Sequence, residues 1–135
     1  MCDNLKLIPD ESAIVYKVVA KKPKEKRYYS IAMGFKYPEV AGKIPEVKTQ
    51  RCLEFFNTNI LDRGSPAYNP HMVGRTAGFV SRRNAECFAI KVDHFGGKSK
   101  IYEIIVIKAK LTDGLMSGVY TSHPVVAGKH IKWLE

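Results

Sequence analysis

Ile101-Tyr102-Glu103-Ile104-Ile105-Val106-Ile107-Lys108-Ala109 contains no proline or glycine, and its centre is apolar at consecutive positions. β-Branched and aromatic residues of this kind favour a strand, and apolar side chains at successive positions place both faces of that strand against protein. The stretch therefore belongs in the interior of a sheet, and the rest of the chain must supply its neighbours.

Upstream of it, Gly96-Gly97 stops a helix expected over about 82–95, for which Ser81 is a good N-cap. Ala85, Phe88, Ala89 and Val92 recur at i, i+3, i+4 and i+7 and form its expected buried stripe, with Cys87 packing beside it. Gly78-Phe79-Val80-Ser81 reads as a short strand leading in. Nearer the N-terminus, Ser12-Ala13-Ile14-Val15-Tyr16-Lys17-Val18-Val19-Ala20 is a second long strand, expected to be central. The charge run at 21–27, broken by Pro23, followed by Tyr28-Tyr29-Ser30-Ile31-Ala32-Met33, predicts a hairpin with a basic tip.

Pro38, Gly42 and Pro45 argue for a loop over 34–47, and 51–56 reads as a short strand. The turn formers of 62–76 predict a long surface loop. After the decisive strand, 112–118 is turn-rich and Val119-Tyr120-Thr121 is a brief strand. Val125-Val126-Ala127 and His130-Ile131-Lys132-Trp133-Leu134 are two more, separated at Gly128 by a bulge or turn. The sum is an α+β fold: one domain over 1–135, a mostly antiparallel twisted sheet, and one main helix at about 82–95 packed on it.

A chain of 135 residues can bury a core without metals or disulfides. Cys2, Cys52 and Cys87 are odd in number and widely spaced, which points to reduced thiols. No run approaches the ~20 apolar residues of a membrane span. Met1-Cys2-Asp3-Asn4-Leu5-Lys6 lacks the features of a secretory signal, so a cytoplasmic location without membrane attachment is expected.

The informative quantity is the net charge of +9, from 22 Lys and Arg against 13 Asp and Glu. Such a charge attracts anionic partners and weakens in salt. Lys21, Lys22, Lys24, Lys26 and Arg27 crowd the expected hairpin tip, where they are candidates for phosphate contacts, with Tyr28 and Tyr29 as candidates for stacking on bases. Arg75, Arg82 and Arg83 form a second basic group around the expected helix N-terminus, where free backbone N–H groups favour an anion.

His71, His94, His123 and His130 lack metal-ligand spacing, and no metal or cofactor is expected. Gly96-Gly97-Lys98-Ser99 precedes a strand, whereas a phosphate-binding loop of the Walker type opens a helix, so that reading is set aside. No catalytic set emerges from the residues.

The order of Gly78-Phe79-Val80-Ser81, a helix bearing Ala85 and Phe88, and Ile101-Tyr102-Glu103-Ile104-Ile105-Val106 resembles the central stretch of ADP-ribosyltransferase-like domains. The Tyr16-Lys17-Val18-Val19 strand is similar to the opening strand of small phage-type proteins. The first resemblance implies a nucleotide substrate and a cleft lined by Tyr16, Tyr29, Phe79 and Glu103. The chain departs from it in offering Tyr16 and Lys17 where that family has a first-strand His or Arg, and Phe88 where it has a stacking tyrosine. A late glutamate has no counterpart but Glu135. The function expected is that of a small basic, non-enzymatic binding protein that engages nucleic acid, a nucleotide or an acidic protein surface as an inhibitor or accessory factor. A transferase-like enzyme and a structural subunit of a larger assembly are the alternatives.

Overall fold

The computed structural model describes residues 3–31, 34–47, 70–93 and 102–135. Eight strands form one antiparallel sheet: β1 (Asp3–Leu7), β2 (Ser12–Lys21), β3 (Ala41–Lys43), β4 (Thr76–Phe79), β5 (Glu103–Thr112), β6 (Met116–Tyr120), β7 (His123–Gly128) and β8 (His130–Trp133). Their order across the sheet is β1-β6-β7-β4-β2-β5-β8-β3. One α-helix, α1 (Arg82–Lys91), is present among the described residues, and Pro70–Met72 makes a single 3₁₀ turn. The fold is thus α+β but dominated by its sheet. No helix among the described residues is long and apolar enough to cross a membrane.

The two long apolar stretches pair with each other along their whole length, from Ser12 opposite Thr112 to Lys21 opposite Glu103. Side chains alternate between faces along a strand, so each of these strands serves two cores. Val15, Val19, Ile107, Ala109 and Leu111 point to one face, where they meet Leu115, Val126, Ile131, Trp133, Tyr37 and Ile44. Ala20, Val18 and Ile104 point to the other, with Val92 and Phe88 of the helical segment. Tyr16, Val18 and Val106 share that second face with Phe79, Ala85 and Val125.

Topology requires the first face to be concave. β7 ends at Gly128 and β8 begins at His130, yet β4, β2 and β5 lie between them in the sheet. In a flat sheet that step spans four strand spacings, roughly 19 Å, whereas two residues reach only about 7 Å. The sheet therefore curls until the ends of β7 and β5 touch: a Cβ on Gly128 would lie 2.8 Å from Leu115 Cδ2 and 3.0 Å from Leu111 Cβ. The Lys129 N–H closes the corner by donating to Asp113 O at 2.9 Å.

The seam between β2 and β4 is short, the two strands pairing through Tyr16 and Phe79 alone. Lys17 occupies the gap from the concave side. Only 7% exposed, it donates from Nζ to Thr76 Oγ1 at 2.8 Å and to the Ala77 carbonyl, and it sits 5.3 Å from the centre of the Tyr37 ring. A lysine ammonium here satisfies an Ala77 carbonyl beyond the last β2–β4 pair, since a buried acceptor without a partner is costly.

Ser81 caps α1 as its sequence predicts, its hydroxyl accepting from the Asn84 N–H. The regular α-helix runs to Lys91 with Val92 as C-cap, and residues 92–93 continue as a π turn; the expected end at 95 and Gly96-Gly97 lie outside the described residues. Ala85 and Val92 are buried and Phe88 and Ala89 half-buried, while Cys87 is exposed rather than packed, because it lies on the side of the helix away from Ala85 and Val92.

Three further expectations are corrected. The 34–47 loop contains β3, which pairs with β8 through Ala41, Gly42 and Lys43 despite its flanking prolines, because at a sheet edge only one side of the backbone must bond. Tyr29 returns beside β2 as an isolated bridge to Ala20, with a second bridge to Lys36, so among the described residues the hairpin has no regular second strand. β6 begins at Met116, inside the stretch read as turn. The strand expected at 51–56 and the 62–69 part of the long loop lie outside the described residues.

The turn between β6 and β7 places Thr121 at φ 45° and Ser122 at φ 69°. Two consecutive positive φ values in a two-residue hairpin suit Asn-Gly, and a β-branched residue there is strained. Thr121→Asn with Ser122→Gly is expected to raise the unfolding free energy by about 1–2 kcal/mol. Urea titration checks this, and an unchanged or lower midpoint would rule out the strained turn.

Candidate functional site

The eight candidate basic residues occupy separate regions and mostly have local partners. At the tip beyond β2, Lys22 Nζ lies 5.3 Å from the centre of the Tyr29 ring and 5.4 Å from that of Tyr102. Arg27 binds its own segment, Nε donating to Tyr37 O at 2.7 Å and Nη2 to Lys36 O at 3.3 Å. Lys21 faces Glu103 across the ladder, and Lys24 and Lys26 are exposed. The tyrosines proposed for stacking serve the interior. Tyr28 packs edge-on against Trp133 with ring centres 4.9 Å apart, and Tyr29 is buried against Tyr102. The Tyr29 hydroxyl donates to Glu25 at 2.7 Å, and that carboxylate, together with burial, raises the ionisation of Tyr29 above the usual phenol range.

Arg75 is a brace at the β5–β6 turn, donating from Nε to Gly114 O at 2.8 Å and from Nη1 to His71 O at 2.9 Å. Arg82 lies over the Tyr16 ring at 4.9 Å and pairs with Glu135 at 3.0 Å, while Arg83 is exposed on the next position of α1. Since α1 starts near Tyr16 and its C-terminal end packs near Ala20 and Tyr29, the tip and the two helix arginines stand at opposite ends of the helix. The residues of the suggested cleft are also divided: Tyr16 and Phe79 pair on the helix side, Tyr29 lies by the tip, and Glu103 falls by alternation on the other face of β5.

Among the described residues, the outer face of β2, β5, β8 and β3 beyond the N-terminus of α1 is left uncovered by the helix. Because Ile107, Ala109 and Leu111 point inward, Lys108, Lys110 and Thr112 point out; because Ile131 and Trp133 point inward, His130 and Lys132 point out. The register then builds rows. Ile14, Lys110, Lys132 and Ala41 lie side by side, and Ser12, Thr112, His130 and Lys43 form the next row. Tyr16 and Lys108 share a third row, extended by Leu134, whose N–H donates to Lys108 O at 3.0 Å.

Lys110 and Lys132 are therefore direct cross-strand neighbours, with Lys108 and Lys43 flanking them along and across the strands. Like charges directly opposite one another destabilise a sheet. Among the described residues none of these four lysines forms a direct ion pair, although Glu135 interacts electrostatically with Lys108. The carboxylate at their rim is that of Glu135, which accepts the Lys108 backbone N–H at 2.7 Å and is bridged by Arg82. The backbone bond first, and Arg82 after it, lower the Glu135 carboxyl below its usual range, so it stays ionised and engaged at neutral pH.

Sequence reading missed Lys43, Lys108, Lys110 and Lys132 because local density favoured 21–27. The available signal was the alternation in Ile107-Lys108-Ala109-Lys110-Leu111 and in Ile131-Lys132-Trp133, which presents lysine on one face of each strand. The arrangement offers mobile ammonium groups over an open, shallow surface, suited to electrostatic docking of an extended anion. No family model matches this chain, and neither the curated proteins nor the solved structures contain a match to it.

Proposed function

We propose that this protein is a non-enzymatic nucleic-acid-binding protein whose outer sheet face, centred on Lys108, Lys110 and Lys132 with Lys43, holds the phosphate backbone. The observation that carries the reading is the direct opposition of Lys110 and Lys132 on a face the helix does not cover. An uncompensated like-charge pair of this kind is relieved by a bound anion.

Two features accommodate a phosphate chain. Lysine is a compact point charge on a flexible stem, and it binds phosphate without the fixed bidentate geometry that arginine brings to carboxylate and phosphate alike. Here the central charges are lysines, and the nearest arginine, Arg82, is engaged with Glu135. Lysines two apart on β5 are also separated by roughly 7 Å, a repeat that a regularly charged polymer can meet at successive positions.

The test is fluorescence anisotropy of a labelled oligonucleotide across a salt series. Lys108→Glu, Lys110→Glu and Lys132→Glu combined are expected to weaken binding at least about tenfold and to reduce the log–log salt slope by about 2, near 0.7 per lost phosphate contact on a single strand. The matched set Lys21→Glu, Lys22→Glu, Lys24→Glu, Lys26→Glu and Arg27→Ala reports on the tip. Unchanged affinity and slope in the triple variant would overturn the assignment, as would a wild-type protein that binds no nucleic acid.

A further inference from the structure

We infer that the nucleic acid held by this face is single-stranded, an inference that rests on the reading above and adds to it. The lysines are not alone on the outer face. Ile14 is 44% exposed as the direct neighbour of Lys110, and Leu134 is 41% exposed beside Lys108. Exposed aliphatic surface therefore borders the lysines: Ile14 lies beside Lys110 in one row, and Leu134 beside Lys108 in the next. Lysines flanked in this way match a polymer whose phosphates and base faces reach the same surface together.

A single strand meets that condition because its bases are free to turn towards the protein, where their apolar faces gain from leaving water. A duplex keeps its bases stacked inside, so an open and shallow sheet face reaches its phosphates and leaves Ile14 and Leu134 uncovered. The surrounding groups fit the same picture. Tyr16 lies beneath the Arg82 guanidinium, so the contact to bases is aliphatic rather than aromatic stacking. Binding without hydrogen-bond readout of base edges is then tolerant of sequence, with a bias set by the apolar area of each base.

The experiment compares a labelled single strand and a duplex of the same length, about twenty nucleotides, at roughly physiological salt. The full chain is expected to bind the single strand at least about fivefold more tightly than the duplex. Ile14→Thr combined with Leu134→Ser is expected to erase that preference by weakening the single strand, with duplex affinity and both salt slopes unchanged. Circular dichroism should show the fold intact, since both side chains are exposed. A duplex bound as tightly as the single strand would overturn the inference, as would a variant that weakens both ligands equally. If neither ligand binds the full chain, the nucleic-acid reading itself fails, which is a separate outcome.

Discussion

Trp133→Ala is expected to lower the unfolding free energy by about 3–5 kcal/mol, a large share of the roughly 5–15 kcal/mol typical of a folded domain. Trp133 lies at the end of β8 on the concave side, where its ring meets Tyr28 at 4.9 Å and Tyr37 at 5.4 Å, both edge-on. Its indole N–H donates to Pro38 O at 2.9 Å, and its backbone N–H donates to Val40 O at 3.1 Å. One side chain thus fills the core and holds down the segment that leads into β3. Removing it leaves a cavity beneath Tyr37 and releases the strand that carries Lys43.

Chemical denaturation followed by circular dichroism checks the effect, because Trp133 is the single tryptophan of the chain and fluorescence would disappear with it. Trp133→Phe keeps much of the ring and loses the bond to Pro38, so a smaller cost of about 1–3 kcal/mol is expected. A loss below about 1 kcal/mol for the alanine variant would show that the 34–44 segment is not anchored through this residue.

Gly78→Ala is the second large effect, with an expected cost of about 2–3 kcal/mol from overpacking. A Cβ at this position would lie 2.6 Å from Val15 Cγ2 and 2.7 Å from Val15 Cβ, distances that force backbone or side chain to move. The requirement arises where β4 leaves β2: Gly78 lets the two strands approach closely beside Lys17, whose Cδ would also be 3.2 Å from the new methyl group. Val15→Ala supplies the control, since it removes the atoms in conflict. In that background Gly78→Ala should cost at least about 1 kcal/mol less than in the wild type, a coupling that a double-mutant cycle measures. Equal costs in both backgrounds would mean that the clash with Val15 is not the origin.

The two residues illustrate different degrees of legibility. The length and apolar continuity of the stretch around Ile104-Ile105-Val106-Ile107 predict a strand interior to the sheet, and β5 is that strand, packed on both faces around Ile104 and Val106 but only on the concave face from Lys108 onward. The partner is equally visible in Ser12-Ala13-Ile14-Val15-Tyr16, and the Ser81 cap follows from local chemistry alone. β3 was not visible, because Pro38, Gly42 and Pro45 argue against a strand until β8 supplies an edge to pair with. The need for Gly78 was not visible either, since it arises from a neighbour 63 positions away in sequence.

The candidate site divides in the same way. Its charge is a property of composition, and the alternation of Lys108 and Lys110 with inward apolar residues is set by the two-residue period of an extended backbone. Those features are local and are written in the order of residues. That Lys110 meets Lys132, that Lys43 and Ile14 share their face, and that α1 stops short of covering them all depend on which strands pair and in what register. Packing of the concave core around Trp133, Leu111 and Val15 selects that register, because a slip by one residue would bury the lysines and expose the core. Strand identity and charge therefore belong to the chain as read residue by residue, whereas the basic face exists only once burial has chosen the partners.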